Sequence, residues 1–398
     1  MTTLTEQAAE DFFAARAFQP GMPGFAGIAV DLLLDPACAP TGRRPLRHGF
    51  LDARSPGVVV VSGPPSPGLE VALRRMSDDL AAATRVMDQH GLSVLPFATD
   101  TVHPEGPVHA YGAATAGVRI GLEAGLDDGG PLGLRRRWAL AHTLAPVLAA
   151  AFANAPLRHG RPTGWRSVRQ ALRRDLPVLP PGPSAPPCEP GDRRTAGPAQ
   201  DLPAPRAAQT GPAQGLPIPR AAASGPARCA TDPRTAWSAY VMKAPTGTGR
   251  SLRDRLRAGA RLAETDLHRH LAALRPPVAA RGHLEIDVAD RQPGNGWRVP
   301  AAVITALLDD PRAAEEAEAA TAHLADEPRL WERAARDALT DPVLAGAARA
   351  CFVAAYAALA RQGVSRELRD ALADFTETYV GRGRCPADDL LDRAAGRV

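Results

Sequence analysis

The chain has almost no lysine. Of 47 basic residues only Lys243 is not arginine, and with 43 acids the formal charge of the 398-residue protein is just +4. A balance so close to neutral excludes nucleic acid as a default partner, because nucleic-acid binders concentrate basic charge on one face. The arginine bias accompanies abundant alanine and reads as codon composition, not as a phosphate-binding surface. Cysteine is also scarce: Cys38, Cys188, Cys229, Cys351 and Cys385 lie far apart and form no CxxC pair. That excludes a zinc knuckle or a disulfide framework and points to a reducing cytoplasm. The N-terminal MTTLTEQAAEDFFAARAF carries acids where a secretory leader carries a basic run. It reads as a helix, with Thr3 and Glu6 as its capping box. No Walker loop, GxGxxG, HExxH or GxSxG element occurs. The uncharged stretch WALAHTLAPVLAAAFANAP at 138–156 is mostly alanine, with His142, Pro146 and Asn154 inside it. Its transfer energy is weak for a membrane span, so a buried helix is expected.

What the chain does have is apolar residues, 45% of the total against 23% charged, enough for a sizeable core. Residues 177–226 hold 14 of the 40 prolines and no aromatic residue. GPAQDLPAPRAA at Gly197 recurs as GPAQGLPIPRAA at Gly211 and decays at Gly225, a 14-residue spacing. Such sequence cannot bury enough apolar area to offset its ordering entropy, so 177–230 reads as a disordered insertion in a single domain spanning 1–398. Before the insertion, FAGIAVDLLL (25–34), GVVVVS (57–62), 93–97 and the alternating TAGVRIGLE (115–123) read as strands. Leu69, Leu73, Met76, Leu80, Ala83 and Met87 mark one face of a helix, and another helix covers 133–155. After it, 232–243 and 265–274 read as helices and HLEIDVAD (283–290) as a strand that puts His283, Glu285 and Asp287 on one face. From Val299 onward the pattern is helical, broken at Asp310-Pro311, Asp341-Pro342 and Gly363. The fold class is therefore α+β, with a helical C-terminal layer.

Three strings are more specific: RRRWALAHTLAPVLAAAFANAPLRHGRPTGWRSVRQ (135–170), RGHLEIDVADRQPGNGWRVP (281–300) and GRGRCPADDLL (381–391). Together they resemble the actinobacterial glutamate–cysteine ligase family, the branch that serves ergothioneine synthesis. The resemblance implies an antiparallel sheet forming a funnel wrapped by helices, as in glutamine synthetase. It implies joining of the γ-carboxylate of glutamate to the amine of cysteine with ATP and Mg²⁺, through γ-glutamyl phosphate. Mg²⁺ wants carboxylate oxygens, and Glu285 with Asp31 are the metal candidates, Glu123 and Arg119 the nucleotide-side candidates. Arg161 and Arg166, in the GRPTGWRSVRQ string, are the candidates for holding substrate carboxylates.

The chain departs from the family pattern where the chemistry is expected. A family Glu-x-Glu after a glycine stands here as Ala29 and Asp31, and a Gln and Glu ahead of Ser-x-Pro-Pro stand as Val58 and Val60. A glutamine has become Arg119, an asparagine Gly121, and an arginine Asp287, while Glu285 is kept. An arginine among these acids is expected to replace the metal with an internal ion pair, to Glu285 or Asp31. Losing one preorganised charge contact costs about 10²–10³ in rate. The sequence therefore leaves two functions standing, an active ligase and a silent paralogue that works by binding, with a changed acid or amine substrate as a third.

Overall fold

A computed structural model describes residues 4–37, 39–40, 42–55, 57–99, 115–127, 130–158, 160–172, 232–246 and 249–396. The proline-rich stretch 177–230, Thr3, and part of the segment between Gly91 and Tyr111 lie outside the described residues.

The strands are β1 (Phe25–Asp35), β2 (Arg44–Pro45), β3 (Phe50–Ser55), β4 (Val58–Ser62), β5 (Ser66–Pro67), β6 (Ser93–Leu95), β7 (Gly117–Leu122), β8 (Leu157–Arg158), β9 (Arg161–Pro162), β10 (Val278–Ala280) and β11 (Leu284–Asp290). The main sheet runs β10-β11-β7-β1-β4-β3-β2, all antiparallel, with β5 and β6 pairing the two ends of β1. β8 and β9 form a separate hairpin.

Residue parity decides which face is which, because side chains alternate along a strand. Ile28, Val30, Leu32 and Leu34 of β1, Val59 and Val61 of β4, Val118, Ile120 and Leu122 of β7, and Leu284, Ile286 and Val288 of β11 all join the main core. Each such side chain contributes about 1.5–3 kcal/mol relative to exposure. A shift of one residue in register would move the whole set to the other face. That other face carries Gly27, Ala29 and Asp31, then Val58 and Val60, then Arg119 and Gly121, then Glu285 and Asp287. Near one end Leu33, Val58 and Ala116 seal it as a small apolar cluster.

Helices cover the apolar face. α1 (Glu6–Ala17), α2 (Leu69–Gln89), α3 (Leu134–Ala151) and α4 (Val168–Ala171) come before the proline-rich stretch. After it come α5 (Pro233–Lys243), α6 (Leu252–Arg257), α7 (Glu264–Ala273), α8 (Arg298–Asp309), α9 (Pro311–Thr321), α10 (Leu330–Arg336), α11 (Pro342–Arg361), α12 (Arg366–Thr378) and α13 (Pro386–Ala394). α2 packs on β1 and β4, α8 on β7 and α3 on β11, while α11 packs on α3, α8, α9 and α12 as an outer layer. The uncharged run at 138–156 is the buried α3 with the turn that follows it. α11 is long and apolar enough to cross a membrane, and more than half of its apolar window is buried in the fold.

One local expectation is corrected. The cap of α1 is Thr5, whose hydroxyl accepts from Ala8 N at 3.1 Å; it sits directly ahead of the first helical residue, where a cap must sit. Within the arginine triplet 135–137, Arg137 is 1% exposed, donating to the carbonyl of Glu123 at 2.8 Å and to Asp309 at 2.8 Å. It thereby ties the end of β7 to α8, whereas Arg136 pairs with Glu315 and Glu318 on the surface.

Candidate active site

The polar face of the sheet opens into a cavity of about 550 Å³. Its charged and titratable lining is Arg119 and Glu123 from β7 and the residue beyond it, with Arg281, His283 and Glu285 from β11 and its approach. Gly21, Gly27, Gly63 and Gly121 line it as well, so backbone comes close to its contents. Gly121 has a particular reason to be glycine: a Cβ there would lie 2.9 Å from the His283 ring. The asparagine expected at that position from the family resemblance would collide with the ring.

Asp31 lies beneath the cavity, fully buried. Its Oδ2 accepts from Arg54 Nη1 at 2.6 Å and from Gly117 N at 3.3 Å, and its Oδ1 accepts from Arg119 Nη2 at 3.4 Å. The internal ion pair foreseen for Arg119 is therefore made to Asp31. Burial acts to lower the Arg119 pKa, yet Asp31, Glu285 and Asp287 together hold it above the ordinary arginine value. The guanidinium stays charged. Arg54 reaches Asp31 from a register shift in the β3–β4 pairing between Ala53 and Ser55, and such bulges re-aim side chains.

Glu285 pairs with Arg281, Nε to Oε1 at 3.5 Å, both side chains mostly buried. Glu123 accepts from Phe25 N at 3.2 Å. Asp287 is buried against Arg169, with Asp290 3.7 Å from the same guanidinium. Arg169 therefore lies under the floor, and a Cβ on Gly117 would overlap it at 2.3 Å. Behind Glu285, burial together with Arg119 and Arg281 pushes the Arg275 pKa down to about 10. Burial also lowers the His283 pKa, Arg281 adding to the effect and Glu285 opposing it, so the ring is neutral at pH 7.

Of the residues singled out in the sequence, Arg119, Glu123 and Glu285 line the cavity and Asp31 sits directly below it. Arg161 and Arg166 do not line it. Arg161 is exposed on the β8–β9 hairpin. Arg166 is clamped to Asp388 of α13 at 2.8 Å and to the Arg336 carbonyl at 3.2 Å, a structural bond between the hairpin and the C-terminal helices. Arg281 was missed although its signal was present: it precedes His283 and Glu285 at two-residue steps, on the same face of the chain. Arg54 and Arg275 gave no such signal, because β3 and the turn before β10 carry no strong periodicity.

The acids fit Mg²⁺ poorly. That ion needs several carboxylate oxygens free to converge at about 2.0–2.1 Å. Asp31 is engaged by two guanidiniums, Glu285 by one, Asp287 by another and Glu123 by a backbone N–H. Among the described residues no three His, Cys, Asp or Glu side chains form a metal-holding group. The cations facing the cavity are guanidiniums, whose planar donors suit carboxylate and phosphate oxygens.

Residues 41–398 match the protein family described as glutamate-cysteine ligase family 2 (GCS2). A curated relative, the glutamate–cysteine ligase EgtA of Mycolicibacterium smegmatis, is 30% identical over 451 aligned residues, covering 99% of this chain and 93% of that protein. The Mycobacterium tuberculosis EgtA is 30% identical over 378 residues, covering 88% of this chain and 78% of that one. Among solved structures, a bifunctional glutathione synthetase from Pasteurella multocida is similar at a TM-score of 0.49 and 13% identity. That match covers 98% of this chain but only 54% of the longer protein. By the extent of the family match and of its relatives, the chain belongs to glutamate–cysteine ligase family 2.

Proposed function

We propose that this protein is a glutamate–cysteine ligase of the ergothioneine-pathway type, acting in the cytoplasm on glutamate, cysteine and ATP. The γ-carboxylate of glutamate takes the γ-phosphoryl group and ADP leaves; the cysteine amine then attacks the acyl carbon and phosphate leaves, giving γ-glutamylcysteine. The observation that supports this reading is the convergence of Arg119, Glu123, Arg281, His283 and Glu285 on one cavity in a chain of this family. Arg119 and Arg281, not Arg161 and Arg166, carry the carboxylate- and phosphate-holding role. Their fixed charge stabilises the anionic oxygens that move between glutamate and phosphate. The walls hold the reactants in a partly enclosed space, which supplies orientation. The carboxylates Asp31, Asp287 and Glu285, which would hold Mg²⁺, are paired with arginines inside the protein.

The same pairing favours a second reading, a silent paralogue that keeps the cavity and binds without turnover. Purified protein incubated with Mg-ATP, glutamate and cysteine separates the two. The ligase reading expects ADP and γ-glutamylcysteine in equal amounts at enzyme-like rates. No product at all sinks it and leaves the binding protein, while ADP without the dipeptide sinks both and leaves the changed acid or amine substrate.

A further inference from the structure

We infer, on the ligase reading above, that the imidazole of His283 is the base that takes a proton from the ammonium of the incoming amino acid. At pH 7 most of an α-amino group is protonated, and an ammonium has no lone pair with which to attack a carbonyl carbon. His283 accepts one proton and becomes an imidazolium. The freed amine nitrogen then bonds to the γ-acyl carbon, and the bond from that carbon to the phosphate oxygen breaks. Phosphate leaves with the electron pair and carries off the nitrogen's second proton. The imidazolium returns its proton to water when the product departs.

Geometry puts the ring in place for this. His283 closes the tight turn from β10 into β11: Arg281 N donates to the His283 carbonyl at 2.9 Å, and Gly282 between them takes a φ of 79°. The pairings Glu285↔Gly121 and Leu284↔Leu122, carried one residue further, set His283 beside Glu123. The half-buried ring leans over Gly121, where an added Cβ would lie 2.9 Å from both Cδ2 and Nε2. That edge of the ring takes up the cavity space a side chain at 121 would fill. The ring also bonds the Arg281 backbone. A neutral imidazole has one donor and one acceptor, so donation to the backbone leaves the other nitrogen to accept.

The charged groups facing the ring are Arg281 across the turn, Glu285 on its own strand and Glu123 beyond β7, with Arg119 farther along the same face. The guanidiniums have no lone pair for a proton. Glu285 is engaged by Arg281 at 3.5 Å and Glu123 by the Phe25 N–H at 3.2 Å. Burial and Arg281 keep the resting imidazole neutral, while Glu285 opposes them. A neutral ring is ready to accept, and the carboxylate beside it stabilises the imidazolium that results.

Hydroxylamine provides the test, because it arrives unprotonated at pH 7 and needs no base. The purified chain is incubated with Mg-ATP and glutamate, with cysteine in one arm and hydroxylamine in the other. The products followed are γ-glutamylcysteine and γ-glutamyl hydroxamate. His283→Gln is expected to slow dipeptide formation about tenfold or more at pH 7, while the hydroxamate forms within about threefold of the wild-type rate. The dipeptide deficit is expected to shrink as pH rises past the amine's own pKa, since cysteine then arrives with its nitrogen free. Gly121→Ala, which keeps the imidazole but displaces it, gives a second reading should His283→Gln unfold, and the same selective loss is expected of it. Equal losses with both nucleophiles, a deficit that does not change with pH, or a full dipeptide rate in folded His283→Gln would overturn the inference and leave the ligase standing. No product from the wild type with either nucleophile removes the ligase, and this role with it.

Discussion

Arg169 is 2% exposed, and its neighbours Asp287 and Asp290 are buried beside it, so none of the three is stable as a lone charge. Burial acts to lower the Arg169 pKa, but Asp287, Asp290 and Asp31 hold it above the usual value. Arg169→Met leaves the two acids uncompensated and is expected to cost about 3–5 kcal/mol, read as a shift in urea midpoint. A loss below about 1 kcal/mol would show that the acids find other partners. Gly121 makes a contrasting case, since its importance lies in what it lacks. Gly121→Ala sets a methyl against the His283 ring at 2.9 Å. The ring must then swing, and overpacking of this kind costs about 1–3 kcal/mol. Thermal unfolding measures the cost, and a gain in stability would refute the contact. Neither effect follows from composition. The alternation around Glu285 placed three side chains on one face, but the chain gives no sign that Asp287 would meet an arginine 118 residues away.

At the scale of the element, Asp-Pro pairs do more than break helices. Asp232, Asp310 and Asp341 each precede a proline at the first helical position, and each side chain accepts a backbone N–H of the first turn. Proline suits that position because its missing N–H would be unpaired there anyway. Asp341 also binds Arg333, Nε to Oδ2 at 2.7 Å, which fixes the approach of α10 to α11. Asp341→Ala is expected to lose about 1–2 kcal/mol from the cap, with a further loss from Arg333. Denaturant unfolding beside Arg333→Ala tests this, and equal stability of the two proteins would reject the cap's share. Helix starts were legible here because capping is a local matter of three or four residues. β3 and β10 were not legible: FLDARS and VAA are short, and their strand state comes from the partners β4 and β11.

At the scale of the whole molecule, burial has set several histidines against acid. His142 packs edge-on against Trp138, and burial pushes its pKa down to about 3. His270 and His283 are lowered too, burial being the largest cause in both. A group whose folded pKa is depressed stays neutral in the native state while the unfolded chain takes up the proton. Stability is then full above the unfolded value near 6.5 and falls as pH drops toward the folded value. The capping Asp310 and Asp341 add a lower window: burial opposes their ionisation, but arginine and backbone donors hold them below 3.8, so their contribution fades only below that pH. The melting temperature is expected to decline steadily from pH 6.5 to 4. His142→Leu should flatten that decline, and an unchanged slope would show that His142 does not report it.

The sequence by itself determined the class of fold, the principal strands and helices, the family resemblance, and the polar face on which Arg119 and Glu285 lie. These follow from periodicities of two and near four residues and from strings of rare residues, all local to the chain. Tertiary structure decided which cations answer which acids. Arg54 and Arg169 reach their carboxylates across pairings that no local pattern encodes, and Arg166 is drawn away to Asp388. Charge neutralisation depends on distances of a few ångströms between strands far apart in sequence, so only the folded sheet could convert a floor of acids into a floor of ion pairs.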